Sequence, residues 1–180
     1  MLILADHNWF RDQFAKLDEL QAQAPPDPAA LARLWRPLAA KLDVHAYIEE
    51  KIFYPQLLKR GANDPEGETL DAIGDHNAIR DAVREASAAV VGSDGWWAAV
   101  GRAREANDDH MAEEEREGLT DFRRLAGLQQ RHDLAVAFAA YEARNFAGVQ
   151  PVDKDPAAYV QAAEQAVAAG SLAIGGLKRR

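Results

Sequence analysis

The chain reads as a succession of helical stripes. Ile3, His7, Phe10, Phe14 and Leu17 recur at alternating steps of four and three, the spacing that keeps one face of an α-helix toward a core. A first helix is predicted over about residues 3–23, stopped by Ala24-Pro25-Pro26. Asp27-Pro28 then offers a side-chain cap followed by proline at the first helical position. The second helix is expected to reach Arg60, with Gly61 as its stop, and its inner stripe is Leu34, Leu38, Leu42, His45, Glu49 and Ile52. Pro37 and Pro55 fall inside it and should kink or break it. A third helix over about 68–91 carries Ile73, His76, Ile79, Val83, Ala86 and Val90 on one face. A fourth, from near Trp96 to Gly127 and loosened at Gly118, carries Trp96, Val100, Ala103, Asn107, His110 and Glu114.

Two further helices are expected over about 128–146 and 156–169, joined by a linker at 149–155 and the second capped by Asp155-Pro156. Gly170 to Arg180 reads as a Gly-rich, basic tail, extended or packed on the surface. Strand-like alternation is scarce. The fold class is therefore all-α: an antiparallel up-down-up-down four-helix bundle over residues 1–127, followed by two additional C-terminal helices and the tail over 128–180.

Composition narrows what such a bundle can do. A chain of 180 residues that is 48% hydrophobic can bury a core. Its net charge of −8 argues against nucleic acid as a partner. The absence of cysteine excludes a disulfide scaffold, Cys-type zinc fingers and iron–sulfur clusters, so any metal must be held by histidine and carboxylate. No segment approaches the roughly 18 apolar residues of a membrane span. Met1 to Ala5 is apolar but ends at Asp6-His7, too short for a signal peptide. The expectation is a cytoplasmic protein without a membrane partner.

The candidate chemistry lies on the stripes themselves. His45 and Glu49 are four residues apart, as are His110 and Glu114, so each pair shares one helix face. His7 and His76 add one imidazole each. These four of the five histidines are spaced by 38, 31 and 34 residues, about one helix plus a loop each time. A bundle would bring them to one region of its core. A lone inward histidine is ordinarily a satisfied core residue. Four imidazoles and two glutamates buried together would leave costly polar groups unmatched without a metal. Six mixed nitrogen and oxygen donors are too many for one tetrahedral zinc. They suit two octahedral-leaning metals bridged by the carboxylates, with iron or manganese favoured over zinc.

The motif-bearing stretches are Asp6-His7, His45-Ala46-Tyr47-Ile48-Glu49-Glu50 running into Phe53-Tyr54-Pro55, Asp75-His76, and His110-Met111-Ala112-Glu113-Glu114-Glu115. Together they resemble the hemerythrin-like, His-His-Glu cation-binding family over about residues 3–126. The resemblance implies a four-helix bundle around a non-haem diiron centre. His7, His45, His76 and His110 would be terminal ligands, and Glu49 and Glu114 would bridge two iron ions, for which manganese or zinc could substitute. Two positions depart from the oxygen-carrying members. Arg80 stands where they have a second histidine one turn after the third-helix ligand, and His110 is followed by Glu114 rather than by an aspartate five residues on. The resemblance thus implies at least one protein ligand fewer and an open position for water, O2, peroxide or NO.

Three uses of such a site follow. The leading one is binding or sensing of O2 or a related small ligand. The second is an enzyme that removes peroxide or NO. The third is a metal-stabilised regulatory or interaction module whose 128–180 extension meets a partner. That extension could instead cap the bundle, or form a homodimer face through Val136, Phe138 and Tyr141. Other residues read more plainly. His132 is a surface histidine, Arg80 a partner for a nearby acid, and Glu50, Glu113 and Glu115 a solvated acidic face. Asn107 is a candidate donor beside His110, and Tyr47 and Tyr54 are packing residues, as are Trp9, Trp96 and Trp97.

Overall fold

Aspartate–proline pairs open three of the helices. In the computed structural model, which describes residues 2–23 and 25–170, α1 spans Leu2–Gln21. Helix α2 spans Pro28–Ile48, and the Asp27 carboxylate accepts the Ala29 N–H at its start. Asp64 caps α4 (Pro65–Ala88) through the Gly67 N–H, and Asp155 caps α8 (Pro156–Ala168) through the Ala158 N–H. In each case proline occupies a first-turn position, where its missing N–H costs nothing. The Asp64-Pro65 signal starts α4 three residues earlier than its apolar stripe predicts. The helix then stops at Ala88, which leaves Val90 exposed rather than on the inner face.

The two internal prolines behave differently. Helix α2 runs unbroken through Pro37. Both Pro37 and Arg33, four residues earlier, are exposed, so water can satisfy the backbone carbonyl that proline leaves unpaired. Ahead of Pro55 the chain instead widens into a π-helical turn, Glu49–Phe53, with the Tyr54 N–H bonding back to the Glu49 carbonyl, before α3 (Tyr54–Arg60) continues. Such turns accommodate one extra residue in a helix. The expected fourth helix is two: α5 (Asp94–Arg116) and α6 (Gly118–Leu125), parted at Glu117. Helix α7 (Leu128–Arg144) and α8 lie where the sequence places them. The 171–180 part of the tail lies outside the described residues.

The described residues form helices and the turns and loops that join them, with no strand among them. Helix α1 touches α2 and α5, and α4 touches the same two, closing a ring of four. Inside it are two apolar clusters. One gathers Phe10, Phe14, Leu31, Trp35, Ile79 and Trp96, among others. The other gathers Ile3, Ile48, Phe53, Ile73, Phe122 and Phe138. The first three predicted stripes cross both. Helix α1 passes from the Ile3 cluster to the Phe10 cluster, and α4 from Ile73 to Ile79, whereas α2 passes from Leu31 to Ile48.

Helix α7 lies against α1, α2 and the π-helical turn, and α8 against α3 and α4. Phe138 is 1% exposed and Tyr141 packs on the same cluster, so of the three residues suggested as a dimer face only Val136 is exposed. The apolar face of α7 is used within the chain. Among the described residues no helix is long and apolar enough to cross a membrane.

Candidate metal centre

The four inward histidines stand between the two apolar clusters. His7 follows Ile3 and precedes Phe10; His45 falls between Leu42 and Ile48; His76 falls between Ile73 and Ile79. His110 sits at the corresponding place near the end of α5. All four are buried, as are Glu49 and Glu114. The helices thus carry one polar belt across an otherwise apolar core.

Glu49 is the centre of the belt. Its Oε1 lies 2.8 Å from His45 Nε2. Its Oε2 lies 3.3 Å from His76 Nε2 and 3.8 Å from His110 Nε2. Two groups follow, sharing Glu49: His7, His45 and Glu49, and Glu49, His76 and His110. In each, one donor atom per residue lies within 4.8 Å of the others. Glu114 belongs to neither group. Its Oε2 is 3.3 Å from His7 Nε2, and its Oε1 accepts the Tyr54 hydroxyl at 3.3 Å. Tyr54 therefore does more than pack.

Every ring is backed by a carboxylate on its other nitrogen. Nδ1 lies 2.8 Å from Glu115 in His7, 3.0 Å from Asp6 in His45, 3.0 Å from Glu50 in His76, and 3.5 Å from Asp75 in His110. An ionised carboxylate only accepts hydrogen bonds, so these contacts assign the proton to Nδ1 and direct Nε2 inward. Carboxylate-backed imidazoles of this kind are how proteins orient histidine toward a metal.

The electrostatics follow from this crowding. Burial pushes the His45 imidazole down, but Glu49 and Asp6 outweigh it and lift its pKa to about 9. Burial acts the same way on His110, and Asp75, Glu49 and Glu114 raise it to about 10. His76 goes the other way. Burial, with the His110 charge beside it, takes it down to about 4 despite Glu49. Burial would raise the Glu49 carboxyl, but the three histidines around it hold it well below the usual range. Burial first, and then the Glu114 charge, raise the Tyr54 phenol well above its ordinary value.

The residues present fit a metal. His7 Nε2, His45 Nε2, both Glu49 oxygens and Glu114 Oε2 are buried with no hydrogen-bond partner. With Nδ1 protonated, the belt sets lone pair against lone pair, which a proton on Nε2 or a metal cation resolves. Separations near 3 Å also match neighbouring positions around a metal with bonds of about 2.1 Å. The set of imidazole and carboxylate donors suits iron, manganese or zinc.

Several residues beyond the predicted six serve the belt. Glu50 is not on a solvated face. It is 2% exposed and also accepts Arg80 Nη2 at 2.6 Å, as the expected acid partner of Arg80. Glu115 is half-buried on His7, whereas Glu113 is exposed. Asn107 is buried, but it donates to Met111 Sδ at 3.5 Å. His132 is exposed. Asp6 and Asp75 each directly neighbour a histidine in sequence, yet each backs the ring of a different helix. Adjacency gave no sign of that. A narrow cleft, open to solvent, reaches His110, Glu114 and Tyr54 past Glu68, Asp75 and Leu57.

An all-helical chain with a buried belt of histidines and carboxylates is the class that fold and site define. The model of the hemerythrin HHE cation-binding domain matches residues 2–120, and the chain belongs to that family. Comparison with curated proteins and with solved structures gave no match.

Proposed function

We propose that the chain is a hemerythrin-like non-haem diiron protein that binds or senses O2 or a related small ligand. Glu49 carries this reading. A carboxylate at 0% exposure, with neither oxygen hydrogen-bonded, turns one oxygen to His45 and the other to His76 and His110. That is the disposition of a bridge between two cations. His7 and His45 would hold one ion and His76 and His110 the other, with Glu114 reaching the first from beside His7. The antiparallel up-down-up-down arrangement over residues 1–127 belongs to the same reading. Its support is the opposite order in which α1 and α2, and again α2 and α4, cross the two apolar clusters.

An iron pair would supply reversible electron transfer to a small bound ligand. The chain's own part is orientation and exclusion. Asp6, Glu50, Asp75 and Glu115 fix the rings through Nδ1. Phe10 and Phe138 stand edge-on to His45 at 5.2 and 5.9 Å between ring centres and keep water from that side. Arg80, which stands where the oxygen carriers have a ligand, is engaged by Glu50 and would leave a coordination position open. A second reading, turnover of peroxide or NO, is favoured by Tyr54. Its hydroxyl lies at the cleft beside Glu114, to which it donates at 3.3 Å, within hydrogen-bonding reach of a small ligand held there.

The test is anaerobic reconstitution with ferrous iron followed by titration with O2, peroxide and NO. A stoichiometric spectral change reversed by removing the ligand supports binding. Steady-state consumption of peroxide or NO, slowed in Tyr54→Phe, supports the second reading. No response to any of the three contradicts both.

A further inference from the structure

The family match ends at residue 120, yet residues beyond it reach the outer side of both groups of histidines. Lys154, in the loop before α8, forms an ion pair with the buried Glu50 carboxylate, the same carboxylate that receives His76 Nδ1 and Arg80. Tyr159, on α8, donates its hydroxyl to the Glu50 backbone carbonyl. Asn77, the residue after His76, grips the loop from the other side. Its Nδ2 donates to the Lys154 carbonyl at 2.7 Å, and its Oδ1 accepts the Lys154 N–H at 3.1 Å. Arg84 binds Asp153 at 2.6 Å one step earlier.

Helix α7 does the equivalent for the other group. Glu142 pairs with Lys41, Lys41 holds Asp6 Oδ1 at 2.8 Å, and the other Asp6 oxygen receives His45 Nδ1 at 3.0 Å. Two relays therefore run from the C-terminal part inward: Lys154 to Glu50 to His76, and Glu142 to Lys41 to Asp6 to His45. Each ends on a different side of Glu49. A solvated strap would not need either chain of charge-assisted bonds, and Glu50 without its cations would be a buried carboxylate lacking a full set of partners.

We propose that residues 142–159 are a positioning element for the metal centre, in which Lys154 and Tyr159 fix Glu50 and so His76, while Glu142 fixes Lys41 and Asp6 and so His45. The proposal rests on the reading of the belt as a two-metal site. Outer partners of a metal-bound histidine are worth about 10–100-fold in metal affinity. Linkage makes the effect reciprocal: if docking of this segment favours metal, metal favours docking to the same degree.

The experiment uses the full chain, loaded anaerobically with ferrous iron and titrated with a competing chelator, beside Lys154→Met, Lys154→Arg and Glu142→Gln. Lys154→Met is expected to weaken one of two ions about 10–100-fold, and Lys154→Arg to recover most of that loss. Glu142→Gln, acting through two intermediaries, is expected to weaken the other ion less. Metal is expected to slow proteolysis at residues 145–155 in the wild type, and to slow it less in Lys154→Met. Unchanged affinity for both ions in Lys154→Met and Glu142→Gln would overturn the proposal. So would equal losses in Lys154→Met and Lys154→Arg, the mark of general disruption rather than of a cation holding Glu50. A wild-type chain that takes up no metal would instead overturn the two-metal reading, so the two failures are told apart.

Discussion

His76 and His110 turn their Nε2 atoms toward each other at 3.2 Å, and the two rings titrate on opposite sides of neutrality. In the metal-free protein His110, raised to about 10, is the charged partner, and His76, lowered to about 4, is the neutral one. His45, raised to about 9, is charged as well. A metal can bind the two charged rings only by displacing their Nε2 protons. Loading at pH 7 should therefore release a proton from each of His45 and His110. Titration in weakly buffered solution with an indicator measures this directly, and metal affinity should fall as pH is lowered.

The same shifts set the stability of the metal-free protein. His45 and His110 have folded pKa values above the ordinary 6.5, so their contribution is complete below pH 6.5 and is lost as pH rises through about 9 and about 10. His76 is depressed, so its contribution is present above pH 6.5 and is lost as pH falls through about 4. Urea midpoints in the presence of a chelator should thus fall on both sides. A metal-loaded sample should resist the alkaline loss, because its histidines carry no Nε2 proton to lose.

Glu49→Gln keeps the size of the side chain and removes its charge. If Glu49 bridges two cations, both should weaken together, by at least the roughly 100-fold that marks the upper range for outer partners. Metal analysis after gel filtration reads the result. Loss of a single ion, or of neither, would place the bridge elsewhere.

Arg80→Met leaves Glu50, at 0% side-chain exposure, with one cation fewer. Removing one partner of a buried pair typically costs about 3–5 kcal/mol, seen as a lower urea midpoint. Lys154 remains on Glu50 in that variant, so the loss should sit at the lower end of the range.

Phe138→Ala should cost about 3–5 kcal/mol, as truncation of a buried phenylalanine does. Val136→Ala, two residues away and 46% exposed, should stay within about 0.5 kcal/mol. Equal, small effects would mean that α7 does not share the core on which His45 rests.

The stripes made the main helices and the inward place of His7, His45, His76 and His110 legible, because period and burial follow from one another. The sequence was silent where a rule depends on tertiary context. Glu50 follows Glu49, and on an ordinary helix the two would point about 100° apart, so one buried glutamate argued for one solvated one. In the structure Arg80, Lys154 and Tyr159 close over the second face, from positions 30 to 109 residues away. Asp6 and Asp75 were visible beside histidines but not as partners of His45 and His110, since a contact between helices leaves no spacing to read. Pro37 and Pro55 are the same residue with different outcomes, an unbroken helix and a π-helical turn, and neither outcome is written in the residues beside them.

The most direct test of the central claim is metal content per chain after anaerobic ferrous reconstitution, with a visible spectrum recorded in air and again after reduction. The account predicts about two irons, the number its two donor groups around Glu49 can hold, and a charge-transfer band that bleaches on reduction. A chain that retains no iron, or that holds a single zinc and stays colourless, would contradict it.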